Sequence, residues 1–222
     1  MKSTQRNLKN FLDNKKLFIF DFDGVIADSV EVKDLAFRSL YQIYGKEIIE
    51  KVSKYHLANG GISRYEKIKF FHNEFLNKKI SEKELNKLSR KFSENVVDEV
   101  IASEEIYGST EYLLKLAAKK KICAINTGTP TDEIIEILKK RELFSLFKYI
   151  FGSPDNKLEN LRKILFYSDV NISETVFFGD SSTDLQAAIE LDIDFIGVGK
   201  AIIETNTTYE KINYLSDFSE LL

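Results

Sequence analysis

The chain is poor in the residues that staple, kink or anchor a protein. Cysteine occurs once, at Cys123, so no disulfide can close within the chain, which suits a reducing compartment such as the cytoplasm. Only two prolines occur, Pro130 and Pro154, and neither sits in a Pro-rich linker. No apolar run approaches the about 18 residues that read as a membrane-spanning helix. The segment from Met1 to Lys16 holds no apolar stretch of signal-peptide length, so neither secretion nor membrane spanning is expected. A basic surplus is missing too. Lys and Arg number 32 against 35 Asp and Glu, a net charge of −3, with the lysines interleaved among acids, which argues against a nucleic-acid partner. What remains is 222 residues, 43% hydrophobic and 30% charged: a soluble globular chain long enough for one α/β domain with a modest insertion.

The stretch from Leu17 to Ser29 organises the rest. Its apolar start, Leu17-Phe18-Ile19-Phe20, suits a strand buried on both faces, and Asp21, Phe22, Asp23 and Gly24 follow. The two carboxylates thus fall at the strand's carboxyl end, where parallel α/β sheets bind ligands. Neither has a cation adjacent in sequence, and buried unpaired carboxylates are costly, so a metal ion is expected. Asp and Gly also suit a plain turn after a strand, and this segment alone leaves both readings open.

Residues 3–14 suggest a short amphipathic helix. From about 30 to 102 the chain turns helical in period, with helices expected near 31–44, 46–57, 63–77 and 82–101; Ser81 with Glu84 suggests a capping box for the last. Beyond it, strands expected at 121–126, 149–151, 174–179 and 194–198 alternate with helices at 109–120, 131–141, 156–167 and 184–191. Thr129 is expected to cap helix 131–141, with Pro130 at its first position. The fold expected is α/β: a Rossmann-like parallel sheet core, 1–29 and 103–222, with an inserted all-helical cap at 30–102. The tail after 201 has the weakest pattern.

Polar clusters mark the ends of four strands: Asp21 with Asp23, Thr127 with Gly128, Lys157, and Asp180 with Asp184. Parallel strands gather such ends on one edge of a sheet. Clustered carboxylates suit a hard cation such as Mg²⁺, while a hydroxyl, backbone N–H groups and a lysine suit a phosphate. Together they imply metal-assisted phosphoryl chemistry.

In order and in kind these elements resemble the motifs of the haloacid dehalogenase-like hydrolase superfamily, in the branch whose helical cap follows the first strand. Asp21-Phe22-Asp23-Gly24-Val25, Thr127, Lys157 and Gly179-Asp180-Ser181-Ser182-Thr183-Asp184 carry the resemblance, over about 17–198. It implies Asp21 as the nucleophile that forms an aspartyl-phosphate and Asp23 as general acid and then base. It further implies that Thr127 and the Gly128 N–H hold phosphate oxygens and that Lys157 offsets charge. Mg²⁺ would be bound by Asp21, Asp180 and the Asp23 carbonyl, with Asp184 steadying its water shell or orienting Lys157. Asp23 sets the chain apart from the dehalogenases and the phosphonate-cleaving branch, which lack a carboxylate there.

The implied activity is a cytoplasmic phosphatase of a small phosphorylated metabolite, a sugar phosphate or a phosphoglycolate-like compound. A phosphomutase and a non-catalytic binding module are the alternatives, and oligomeric state is not legible. In the cap, Arg64 after Gly60-Gly61 is expected either at the substrate or ion-paired, and Lys67 is a weaker candidate. His56 and His72 have no partners at ligand spacing and are expected in surface or satisfied roles. Asn126, beside Thr127, suits either substrate binding or the end of a sheet strand.

Overall fold

The computed structural model describes residues 2–199, 202 and 209–222, with side chains from residue 8 onward. The expectation of a core segment reaching 222 therefore includes some residues, at 200, 201 and 203–208, outside those described. Six strands form one parallel sheet: β1 Leu17–Phe20, β2 Ile122–Pro130, β3 Tyr149–Ser153, β4 Thr175–Gly179, β5 Asp194–Val198 and β6 Ile212–Leu215, in the order β3-β2-β1-β4-β5-β6. This is the doubly wound order in which successive strands run outward from β1 in one direction and then the other. The reversal falls between β1 and β4, and it opens a crevice at their carboxyl ends.

Alternation along β1 explains why helices cover both faces of the sheet. Phe18 and Phe20 join one core with Phe178, Tyr112 and Phe218, and Phe20 stacks on Phe178 with ring centroids 4.8 Å apart. Leu17 and Ile19 join a second core with Phe177, Leu161 and Leu185. Helices α6 (Ser109–Ala118) and α7 (Thr131–Lys140) cover the first face, and α8 (Lys157–Ser168) and α9 (Ser182–Glu190) the second. Helix α1 (Lys2–Asp13) precedes the sheet. Each fully buried Phe contributes about 1.5–3 kcal/mol.

Between β1 and α6 lie helices α2 (Val30–Leu40), α3 (Lys46–Ala58), α4 (Arg64–Phe70) and α5 (Glu82–Ala102). They pack around Phe37, Phe71 and Phe92, with the Phe37 and Phe92 rings 4.3 Å apart. The segments entering and leaving this helical unit run side by side: Asp28 N–H donates to the Glu104 carbonyl and Ile106 N–H to the Ile26 carbonyl. No helix among the described residues is long and apolar enough to cross a membrane.

Five points of the local reading need correction. Thr129 does not cap α7, because β2 runs on to Pro130, which pairs with Ser153 of β3. The helix expected at 31–44 ends at Leu40 in a short turn, and that at 63–77 passes into a wider π-type turn at Phe71–Phe75. Ser81 accepts from the Glu84 N–H, but the return bond of a capping box is absent from α5. Finally, β6 extends the sheet by a strand whose mixed sequence, Ile-Asn-Tyr-Leu, gives a weak signal of alternation.

Candidate active site

The loop after β1 turns back at once. The N–H groups of Val25, Ile26 and Ala27 all donate to the Phe22 carbonyl. Gly24 stands at φ +75°, and a Cβ there would collide with the Asp180 carboxylate. A glycine at this point is what lets the loops after β1 and β4 lie against each other, and so brings Asp21 and Asp180 together although they are far apart in sequence.

Asp21 is 2% exposed, and its Oδ1 accepts from the Phe22 N–H at 2.6 Å. Its Oδ2 lies 2.7 Å from Lys157 Nζ, and the same nitrogen lies 2.8 Å from Asp184 Oδ1. Lys157 opens α8, where a positive side chain opposes the helix dipole. The two carboxylates, and the Asn126 carbonyl that accepts from Nζ at 2.7 Å, offset that penalty. Asp184 is the third residue of α9 and forms a capping box with Ser181. Asn126 is a fully buried sheet-end residue, its amide donating to the Lys157 carbonyl at 2.9 Å.

Ligand atoms of Asp21, Asp180 and Asp184 all lie within 4.8 Å of one another. Three clustered carboxylates facing one lysine carry more negative charge than this pocket neutralises. Burial pushes the Asp21 carboxyl up to about 7; Lys157 opposes the shift, and Asp184 and Asp23 add to it. Burial, then Asp21 and Asp184, raise Asp180 well above the carboxylate range. An all-oxygen donor set with surplus negative charge fits a hard divalent cation.

Asp23 behaves differently. Burial would raise its carboxyl, but Lys33, Ser29 and Lys157 together outweigh burial, so it is held below the ordinary value. Ser29 Oγ donates to Oδ1 at 2.6 Å, and Lys33 of α2 forms an ion pair with Oδ2. Lys33 Nζ also donates to Thr129 Oγ1 at 2.7 Å. Lys33, Ser29 and Thr129 are thus site residues that the sequence reading missed. One signal was available: positions 29 and 33, four apart at the start of a helix, share a face. Thr127 is buried beside Gly128, its hydroxyl accepting the Thr129 N–H at 3.2 Å.

The helical unit closes over this edge. A Cβ on Gly128 would collide with the Gly61 carbonyl, and Thr183 Oγ1 donates to the Gly60 carbonyl at 2.6 Å. Beneath lies a cleft of about 420 Å³, lined by Asp21, Asp23, Gly128 and Asp180 from below and by Lys33, His56, Arg64 and Lys67 from the helical unit. Arg64 lines the cleft, yet its guanidinium is committed. It pairs in a fork with Glu133 of α7 and donates to Ser93 Oγ at 2.6 Å. His56 is buried in the cleft wall rather than set at the surface, and His72 is buried as well. The eight residues singled out from sequence thus divide: Asp21, Asp180, Asp184 and Lys157 converge directly, Asp23, Thr127 and Gly128 adjoin them, and Arg64 reaches across from the cap.

The sequence profile described as Haloacid dehalogenase-like hydrolase matches residues 18–198. A phosphorylated carbohydrates phosphatase of Thermotoga maritima is 28% identical over 200 residues, covering 84% of this chain and 89% of that one. Among solved structures, a β-phosphoglucomutase of Clostridium difficile superposes with a TM-score of 0.76 at 23% identity, covering 94% of this chain and 93% of that one. A predicted phosphoglycolate phosphatase of Haemophilus somnus gives a TM-score of 0.71 at 20% identity, with 94% and 96% covered. The order of strands, the acids gathered at the switch point and the profile match over most of the length agree, and the chain belongs to the haloacid dehalogenase-like hydrolase family.

Proposed function

We propose that the protein is a Mg²⁺-dependent phosphatase that hydrolyses a small phosphorylated metabolite, a sugar phosphate or phosphoglycolate-like ester, through an aspartyl-phosphate on Asp21. The observation that carries this reading is the buried Asp21 carboxylate, set between Lys157 and two further acids on the floor of a cleft of small-molecule size. Asp21, Asp180 and the backbone of Asp23 would hold the cation, which would lessen the repulsion between nucleophile and ester, while Asp184 orients Lys157.

Asp21 attacks phosphorus and the ester P–O bond breaks, the leaving oxygen taking its proton from Asp23. Water then attacks phosphorus, Asp23 takes the water's proton, and the bond to Asp21 breaks to release phosphate. Asp23 begins as the carboxylate that the second step needs. For the first step it must gain a proton against Lys33, and the negative charge of an incoming ester favours that gain. Thr127 and the Gly128 N–H orient phosphate oxygens, and Lys157 offsets the charge of nucleophile and phosphoryl group. We read residues 30–102 as a lid that excludes water and large phosphoproteins, with Arg64 and Glu133 tying it to the core. The reading keeps the enzyme in the cytoplasm with the buried Cys123 as a free thiol. It assigns no nucleic-acid or membrane partner.

Two variants test the roles. Asp23→Asn is expected to slow hydrolysis of an alkyl phosphate by about 100- to 10,000-fold and of p-nitrophenyl phosphate far less, since nitrophenolate leaves without a proton. Equal slowing on both esters removes the acid role. Gly128→Ala forces the Gly61 loop off its seat, so kcat/KM is expected to fall by about 100-fold with little change in melting temperature. Measured phosphate release from a sugar monophosphate separates this reading from a phosphomutase, which yields an isomer with no release.

A further inference from the structure

The cations around the cleft differ in one respect. Lys33 is paired with Asp23, Arg64 with Glu133, and Lys157 with Asp21 and Asp184. Lys67, on α4 of the cap, has no carboxylate partner among the described residues. It lines the cleft while only 2% exposed. Its Nζ lies 2.8 Å from His56 Nδ1 and donates to the His56 carbonyl at 3.4 Å, with the Phe37 ring 5.9 Å away. Burying an ammonium costs free energy unless an anion faces it. In direct contact the protein supplies an imidazole and a carbonyl but no carboxylate, the charges of Asp23, Asp180 and Asp21 acting on Lys67 from elsewhere in the cleft on which it opens.

We propose that Lys67, steadied from behind by His56, is a specificity-determining cation that receives a second anionic group of the substrate, a carboxylate or a second phosphate, at the cap end of the cleft. The inference rests on the phosphatase reading of the same cleft and narrows its substrate class to esters with two anionic ends. The electrostatics agree. Burial, then the neighbouring Lys33, push Lys67 down to about 7 against the opposing charges of Asp23, Asp180 and Asp21, and burial, then Lys67, push His56 down to about 3. His56 is therefore neutral and accepts from Lys67, and an arriving anion favours full protonation of the lysine. Arg64, held in its fork by Glu133, is less free to serve.

The test compares paired esters: phosphoglycolate against hydroxyethyl phosphate, and a hexose bisphosphate against the matching monophosphate. Affinities are measured by calorimetry with Mg²⁺ on Asp21→Asn, in which turnover is blocked, and on the same protein carrying Lys67→Met or Lys67→Arg. Asp21→Asn is expected to bind the two-anion member of one pair about 10- to 100-fold tighter than its partner. The pair that responds identifies the anion as carboxylate or phosphate. Lys67→Met is expected to bring that ratio near one while the melting temperature holds, and Lys67→Arg to recover part of it. A ratio untouched by Lys67→Met, or equal weakening of both members, overturns the proposal and leaves Lys67 a structural residue. Hydrolysis of p-nitrophenyl phosphate by the unaltered protein is scored separately. If it proceeds while the ratios ignore Lys67, this inference falls and the phosphatase reading stands. If nothing turns over but Lys67→Met still collapses the ratio, the reverse holds.

Discussion

Replacing Asp21 by Asn is expected to stop turnover, phosphate release falling by about ten-thousandfold or more, because the amide cannot form the covalent intermediate. The same substitution has a signature in stability. The Asp21 carboxyl is raised by burial from 3.8 to about 7, with Lys157 opposing and Asp184 adding to the shift. A folded value above the unfolded one means that the folded protein holds a proton which the unfolded chain releases as pH climbs from about 4 to about 7. Native stability contributed by this group is full below the unfolded value and is lost across that window. In metal-free buffer the melting temperature of the unaltered protein is therefore expected to fall between pH 5 and pH 8 more steeply than that of Asp21→Asn. Mg²⁺ should reverse the trend, raising the melting temperature more at pH 8, where protons no longer compete for the carboxylates, and doing less for the variant. Undiminished phosphate release by Asp21→Asn would remove it as nucleophile, and parallel pH profiles would remove the charge surplus around it.

The acids and the lysine of this site were legible in sequence for a physical reason. Each follows an apolar strand at its carboxyl end, and a parallel sheet must bring such ends to one edge. Asp21, Thr127, Lys157 and Asp180 could therefore be grouped without a structure. Residues reaching the cleft from the helical unit carry no such mark. Lys33 and Lys67 sit among lysines and glutamates at helical spacing, the pattern of a solvated surface, and only tertiary packing turns them inward against Asp23 and His56. Glu133 was equally hidden in the exposed-looking first turn of α7, and it is Arg64, arriving from the cap, that gives it a role. Thr129 was misread because Thr-Pro before a helix suits a cap. The sheet overrides that local preference: Pro130 pairs with Ser153, Thr131 Oγ1 accepts the Gly152 N–H at 3.0 Å, and the Thr129 hydroxyl is left facing Lys33 and Asp23.

The second large effect is expected at Lys157, because it is the cation paired with two buried acids, Asp21 and Asp184, beside a half-buried third, Asp180. Burial alone would lower its proton affinity, but Asp184 and Asp21 outweigh burial and raise it above the ordinary lysine value. Its own titration therefore takes nothing from its stabilising contribution below about pH 10, and what varies with pH there is the charge of its partners. In Lys157→Met the stem still fills its space, but Asp21 and Asp184 lose the partner that lies 2.7 and 2.8 Å from them. Breaking a buried pair from one side costs about 3–5 kcal/mol. Metal-free denaturation at pH 8 should register a loss of that order, together with loss of phosphate release as nucleophile and phosphoryl charge go uncompensated. The destabilisation should shrink at pH 5, where the raised carboxyls of Asp21 and Asp180 take up protons, and shrink again on adding Mg²⁺. Adding Asp184→Asn to Lys157→Met should restore part of the stability and none of the activity, since it removes a stranded charge but returns no cation to Asp21. A Lys157→Met protein as stable as the unaltered one in metal-free buffer at pH 8 would mean that the acids do not repel one another there, and the case for a cation among them would lose its electrostatic basis.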